Sequence, residues 1–314
     1  MKKISIFLLA LLVALSALSA ADVRVAAMKG PTAMGMVGLM DKAKEGPVNG
    51  NTYHFRLESA ADAVVPLIVR GEVDISAIPG NLASTLYNRT KGGVEVLGIN
   101  TLGVLYIVEA GDSVQSVQDL KGKTIYANGR GATPEYSLMY VLQANGLEPG
   151  KDVFIEWKSE AAEVVTALVA DKAAVAMLPQ PFATSALMQK PELRTVFNLN
   201  DLWHDAVGLD LLTGVTIVRK AFLEENPEAV AQFLKDYAES VEYVNNDPGA
   251  AASVASYGIV GEKIAAKAIP YCSIVLITGE EMKDSLSFYL DTLYAQNPQI
   301  VGGQVPADDF YYTE

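Results

Sequence analysis

Two turns in this chain carry the residues best suited to chemistry. They are Gly30-Pro31-Thr32-Ala33 and, roughly one hundred residues later, Gly131-Ala132-Thr133-Pro134. Each follows an apolar run and opens a stretch with helical patterning. A helix start presents unpaired N–H groups and the positive end of the helix dipole, which suit an anionic or acceptor-rich ligand. Glycine lets that ligand approach the backbone closely. Thr32 and Thr133 are also good caps, a role compatible with binding. Arg130 beside the second turn is either a bidentate donor to the ligand or a solvated loop arginine. Two further turns match one another: Pro79-Gly80-Asn81 and Pro179-Gln180-Pro181 leave apolar runs, each with an amide that both donates and accepts. Asn100-Thr101 follows a strand pattern and is a further candidate. Trp157 and Trp203, the two tryptophans, either stack on a ligand or pack.

Residues for covalent or metal chemistry are sparse. His54 and His204 stand in unrelated contexts, so a metal site built on paired histidines has no support. No nucleophile-elbow, zincin or P-loop pattern occurs. Gly129-Arg130-Gly131 matches two glycines of a dinucleotide fingerprint but lacks the third. Cys272 is the single cysteine and sits in a mostly apolar stretch, as a small buried hydrophobe would. No catalytic residue, metal or cofactor is expected.

The elements that position these turns are partly written twice. Ser59–Pro79 (SAADAVVPLIVRGEVDISAIP) and Ser159–Pro179 (SEAAEVVTALVADKAAVAMLP) align at a constant offset of one hundred, with Ser, Ala, paired Val and the closing Pro retained. A period that long implies two similar lobes rather than a solenoid. Short apolar runs at Val23–Met28, Val73–Ile78, Val94–Ile99, Val104–Val108, Thr124–Ala127, Val153–Trp157, Ala174–Leu178 and Leu211–Val218 alternate with helical patterns. That alternation predicts an α/β chain with mainly parallel sheets. Asn226 is expected to cap a long helix reaching about Val244, and three helical stretches follow. The tail Gly302–Glu314 reads as a surface strap. Two such lobes face each other across a cleft, where small ligands sit.

Composition narrows the partners. Lys2, Lys3, the apolar run Ile4–Leu18 and small residues to Ala21 read as a secretory signal, too short to span a bilayer. Leu18-Ser19-Ala20 resembles the start of a lipoprotein box, but Ala21 stands where the lipidated cysteine belongs. A free periplasmic protein is therefore expected. Without the two signal lysines, 22 basic residues face 37 acidic ones, a mature charge of −15. Such a chain is a poor partner for nucleic acid or an anionic membrane.

With these residues in view, the chain resembles the periplasmic solute-binding proteins of ABC importers, in the nitrate, sulfonate, taurine and thiamine-precursor group. The resemblance rests on the order of the Gly-Pro-Thr turn, Gly71-Glu72-Val73-Asp74-Ile75, Asp119-Leu120-Lys121-Gly122-Lys123, Pro179-Gln180-Pro181-Phe182 and Phe222-Leu223-Glu224-Glu225-Asn226-Pro227. It implies a two-lobed periplasmic-binding-protein fold (type II), each lobe a mainly parallel doubly wound sheet, joined by two hinge crossings. Residues 22–108 plus 213–314 would form lobe one and 109–212 lobe two, after a signal at 1–21. The implied function is capture of a small polar or anionic organic molecule, without chemistry, and delivery to an ABC permease and its ATPase by a monomeric protein. The implied ligand contacts are Pro31, Thr32, Pro79, Gly80, Asn81, Arg130, Gly131, Ala132, Thr133, Pro179 and Gln180, with Thr101 added from the strand pattern. The alternative is an enzyme of the same fold resembling thiamine-pyrimidine synthase, which uses a cysteine-rich motif this chain lacks. On this reading Arg130→Ala weakens ligand binding by roughly 1.5–3 kcal/mol.

Overall fold

A computed structural model describes residues 21–171 and 174–313. The expected signal therefore lies outside the described residues, except Ala21, which opens the first strand. The strands run β1 Ala21–Met28, β2 Asn51–Glu58, β3 Ile75–Ile78, β4 Val94–Thr101, β5 Leu105–Ala110, β6 Thr124–Asn128, β7 Phe154–Lys158, β8 Val175–Pro179, β9 Leu193–Asn198, β10 Gly214–Arg219 and β11 Ile274–Ile277. Among the described residues they form a six-stranded sheet ordered β11-β4-β10-β3-β1-β2 and a five-stranded sheet ordered β7-β6-β8-β5-β9. In the first, β1, β2, β3 and β4 share one direction while β10 runs against its neighbours β3 and β4. In the second, β6, β7, β8 and β9 share one direction and β5 runs against β8 and β9. At the edge of the first sheet β11 also runs against β4, and each sheet is thus mainly parallel with a reversed strand inserted next to its third.

That reversed strand is supplied by chain crossing from the other sheet. The run at Val104–Val108, expected at the end of lobe one, instead enters the second sheet as β5 between β8 and β9. Its residues are almost all buried, so their hydrophobicity fits either sheet equally well. The chain leaves the first sheet at Thr101 and returns to it at Gly214.

The internal repeat has a packing origin. In the helix Ala61–Val69 the buried face is Val64, Leu67 and Ile68; in Ala161–Ala170 it includes Val164, Val165 and Leu168. Both faces follow the i, i+3, i+4 spacing of an amphipathic helix. Positions 64 and 164, and 68 and 168, are therefore the same site in two sheets. Gly71, at φ +67°, closes the first helix: its N–H donates to Ile68 O and Glu72 N–H to Leu67 O, the pattern of a left-handed helix stop.

Several local expectations change in tertiary context. Asn226 holds the cap position of the helix Pro227–Asn246, but its side chain makes no cap bond, its Nδ2 donating instead to Phe222 O. The tail is anchored rather than draped: Phe310 and Tyr311 are buried, and Tyr312 N–H donates to Val96 O along β4. Trp203 belongs to the core, with ring centroids 5.0 Å from Tyr140 and 5.8 Å from Tyr289. Cys272 is buried as expected, and burial pushes its thiol pKa up to about 12.

Asp74 ties the first sheet together at the strand ends remote from the site. Its carboxylate accepts from Arg24 Nε (2.8 Å) and Nη2 (2.7 Å) and from Arg219 Nη2 (2.7 Å), joining residues of β1 and β10 to the residue before β3. Burial acts to raise the Asp74 pKa, but the hydrogen bonds from Arg24 and Arg219 prevail and hold it below its ordinary value. A lowered carboxyl pKa contributes stability above the unfolded value that is lost as pH falls through the folded one. Asp74→Ala should therefore cost about 3 kcal/mol at neutral pH. In denaturant titrations the gap to wild type should narrow as pH drops below about 4, the ordinary aspartate range.

Candidate functional site

The parallel strands of both sheets aim their carboxyl ends at one cavity of about 360 Å³. Met28, Ser59, Pro79 and Thr101 line it at the ends of β1, β2, β3 and β4. Asn128, Ser159 and Pro179 line it at the ends of β6, β7 and β8. Because β5 and β10 run the opposite way, their beginnings reach it: Leu105 opens β5, and Thr213 immediately precedes β10. Ligands of open parallel sheets bind at such carboxyl ends. Here two sheets share one site.

The repeat faces itself across this space. Ser59, Ala60 and Ala61 begin one helix, and Ser159, Glu160, Ala161 and Ala162 begin its counterpart. First-turn N–H groups, such as those of Ala61, Asp62, Ala161 and Ala162, have no intrahelical acceptor and suit ligand oxygens or nitrogens. The remaining walls are mostly apolar, from Pro31, Val104, Pro134, Phe182 and Ile259. Among the described residues only Lys29 and Glu160 bring charged side chains to the lining, and both are exposed.

The deeper polar side chains have fixed partners. Thr32 Oγ1 donates to Met28 O (2.9 Å), and Thr213 Oγ1 to Leu102 O (2.5 Å). Thr101 Oγ1 donates to Asn100 Oδ1 (2.9 Å), while Asn100 Nδ2 donates to Thr216 Oγ1 (2.9 Å). Across the cavity, Gln180 Oε1 accepts from Thr184 N–H (3.2 Å) and Thr184 Oγ1 (2.8 Å). The Gln180 backbone N–H donates to Val104 O (2.9 Å), pinning this turn to the first crossing.

Of the residues expected from sequence, Pro31, Thr32, Pro79, Thr101, Ala132, Pro179 and Gln180 line the cavity. Gly80, Asn81, Arg130, Gly131 and Thr133 do not. Gly80 faces Leu286 and Tyr289. Asn81 and Thr133 are buried against each other between the sheets: Thr133 Oγ1 donates to Asn81 Oδ1 (3.3 Å) and accepts from Tyr289 Oη (3.1 Å). Neither threonine is a cap, since Gly30 and Ala132 occupy the cap positions. Gly129 and Gly131 both turn through positive φ, +85° and +78°, and leave Arg130 exposed in a shallow groove with Glu135, Met139 and Trp157. Sequence proximity to Thr133 therefore misplaced Arg130. Trp203 and Trp157 both lie outside the cavity lining, as do His54, which meets Asp22 at 3.3 Å, and His204, which meets Asp210 at 3.4 Å.

Sequence reasoning missed the helix starts at Ser59–Ala61 and Ser159–Ala162, although they are the first residues of the repeat. It also missed Val104, Leu105 and Thr213, whose role depends on which way the crossing strands run.

This fold and site define a class: two mixed α/β lobes of the periplasmic-binding-protein type, sharing a ligand-sized cavity. The sequence profile of the family described as NMT1/THI5 like matches residues 60–251, and the chain belongs to that family. No match was found among curated proteins. Similar solved structures include an ABC transporter protein from Parabacteroides distasonis, at 22% identity and TM-score 0.78, covering 94% of this chain and 99% of that one. The alkanesulfonate-binding protein SsuA from Xanthomonas axonopodis pv. citri, bound to MOPS, has 15% identity and TM-score 0.74, covering 94% and 99%. The periplasmic aliphatic sulphonate binding protein SsuA from Escherichia coli has 16% identity and TM-score 0.75, covering 94% and 93%. At these identities the likeness is one of fold.

Gly214 marks where the site tolerates least. A Cβ there would lie 2.4 Å from Asn100 Oδ1 and 2.8 Å from Thr32 Cγ2. Gly214→Ala should destabilise the protein by about 1–3 kcal/mol, as overpacking does. The displaced Thr32 should also disturb the cavity, read as weaker binding of any solute that stabilises the wild type.

Proposed function

We propose that this protein is the extracytoplasmic solute-binding component of an ABC importer. It captures a small polar organic molecule between its lobes and hands it unchanged to a permease driven by an ATPase. The observation that carries this reading is the shared cavity, lined by equivalent strand exits and helix starts from both sheets. A ligand held by both halves favours their approach, because it interacts most when both surround it. Lobe one would comprise the first sheet and the helices after Gly214, and lobe two the second sheet, with the crossings as hinges. The apolar run at Ile4–Leu18 supports export and a periplasmic location, and the single chain would act as a monomer.

Binding without turnover is favoured over an enzyme of this fold by the lining itself. Among the described residues the cavity lining includes no histidine or cysteine, and the two charged ones are exposed. General acid–base catalysis needs a positioned titratable group within hydrogen-bond reach of the reacting atom. The place of Arg130 outside the lining also removes the strongest argument for a charged ligand.

A true ligand at a hundredfold excess over its Kd should stabilise the protein by about 2.7 kcal/mol, visible as a raised Tm. The same solute should be recovered intact after prolonged incubation; its conversion by the purified protein would favour the enzyme. Arg130→Ala should leave its Kd within about twofold of wild type, since a surface substitution away from the site changes little. A loss of tenfold or more would return Arg130 to the site.

A further inference from the structure

Hydrogen-bond polarity inside the cavity is fixed wherever a side chain is partnered by backbone, which admits only one role. The acceptors of the Thr32 and Thr213 hydroxyls are backbone carbonyls, which cannot donate. Thr101 shares the Asn100 amide with Thr216, and because both partners are hydroxyls this pair admits either direction. Thr32 and Thr213 therefore offer a ligand lone pairs only. They also lie together with Thr101: Thr213 N–H donates to Thr101 O, and Gly214 is flanked by Thr32 Cγ2 and Thr101 Cβ, 2.8 and 3.2 Å from where its Cβ would stand. Gln180 is the converse case. The backbone N–H of Thr184 can meet only its oxygen, which leaves the Gln180 NH₂ group as the donor for the cavity. The first-turn N–H groups of the two repeated helices add donors on the same terms.

We propose, building on the solute-binding reading, that the ligand is a neutral molecule that donates at one end and accepts at the other. Its donor meets the threonine cluster at the second crossing, and its acceptor meets Gln180 and the helix starts. An anion with no hydrogen-bond donor, such as nitrate or an alkanesulfonate, could satisfy the donors but would set its charge against the lone pairs of Thr32 and Thr213. Leaving those acceptors buried and unmet opposes binding. A cation would lack a buried counter-charge, because Glu160 is exposed. Thr184 acts through Gln180 as a positioning residue. Its hydroxyl and N–H together decide which face of the amide the ligand meets.

The test uses thermal shift and calorimetric titration of the mature protein with two probe sets. The neutral donor–acceptor probes are nicotinamide, cytosine and 4-hydroxybenzamide; the anions are nitrate and methanesulfonate. At least one neutral probe should raise Tm and bind saturably, and neither anion should. Thr32→Val, which removes an acceptor at constant shape, should weaken that probe about tenfold. Gln180→Glu, which turns the donor into an acceptor, should weaken it at least as much. Should Thr32→Val fold poorly, as judged by its unliganded Tm, Thr213→Val asks the same question. Binding of an anion but of no neutral probe would overturn this inference while leaving solute capture standing. Unchanged or tighter neutral-probe binding in Thr32→Val would also overturn it. Binding of neither set would count against both readings.

Discussion

Everything in this structure depends on how closely the chain must approach itself where it passes between the sheets. At each passage a glycine sits against an asparagine. A Cβ on Gly103 would lie 2.4 Å from Asn200 Cβ, and one on Gly214 would lie 2.4 Å from Asn100 Oδ1. The asparagines are themselves held: Asn200 Oδ1 accepts from Leu211 N–H (2.8 Å), and Asn100 Nδ2 donates to Thr216. Thr213 N–H then bonds Thr101 O, linking one passage to the other. Two strands leave this knot in opposite senses, and that fixes which ends of both sheets look at each other.

Once the carboxyl ends are opposed, the site follows from backbone chemistry. Helices that start there leave their first N–H groups without partners, and the repeat delivers two such starts face to face. Prolines at the strand exits, Pro79 and Pro179, have no N–H to satisfy and so can wall the cavity without adding a polar obligation. The result is a space whose sides are largely apolar and whose polar points are few and directional.

Among the described residues, Glu160, which is exposed, is the one carboxylate that reaches that space. The chain's most deeply buried acids are hydrogen-bonded elsewhere: Asp74 by two arginines, Glu109 by Arg194 and the Ser113 and Val114 amides, and Asp236 by Tyr53, Asn49 and Gln232. Each is stabilised by hydrogen bonds that join distant segments, so these acids act as fasteners of the fold.

The amino-acid sequence by itself determined the two-lobed α/β plan, because burial of Val64 and Ile68, and of Val164 and Leu168, demands the same spacing in both halves. It also marked Pro79, Pro179, Gln180 and the Gly30-Pro31-Thr32 turn, since glycine, proline and threonine at a strand exit act locally. Only the tertiary structure decided the rest. Arg130 leaves the site because flanking glycines in left-handed conformations turn the loop outward. Thr133 and Asn81, identical in kind to true lining residues, are consumed by contact with each other and with Tyr289. Leu105 and Thr213 enter because a buried strand carries no record in its sequence of which sheet it will join, or in which direction it will run.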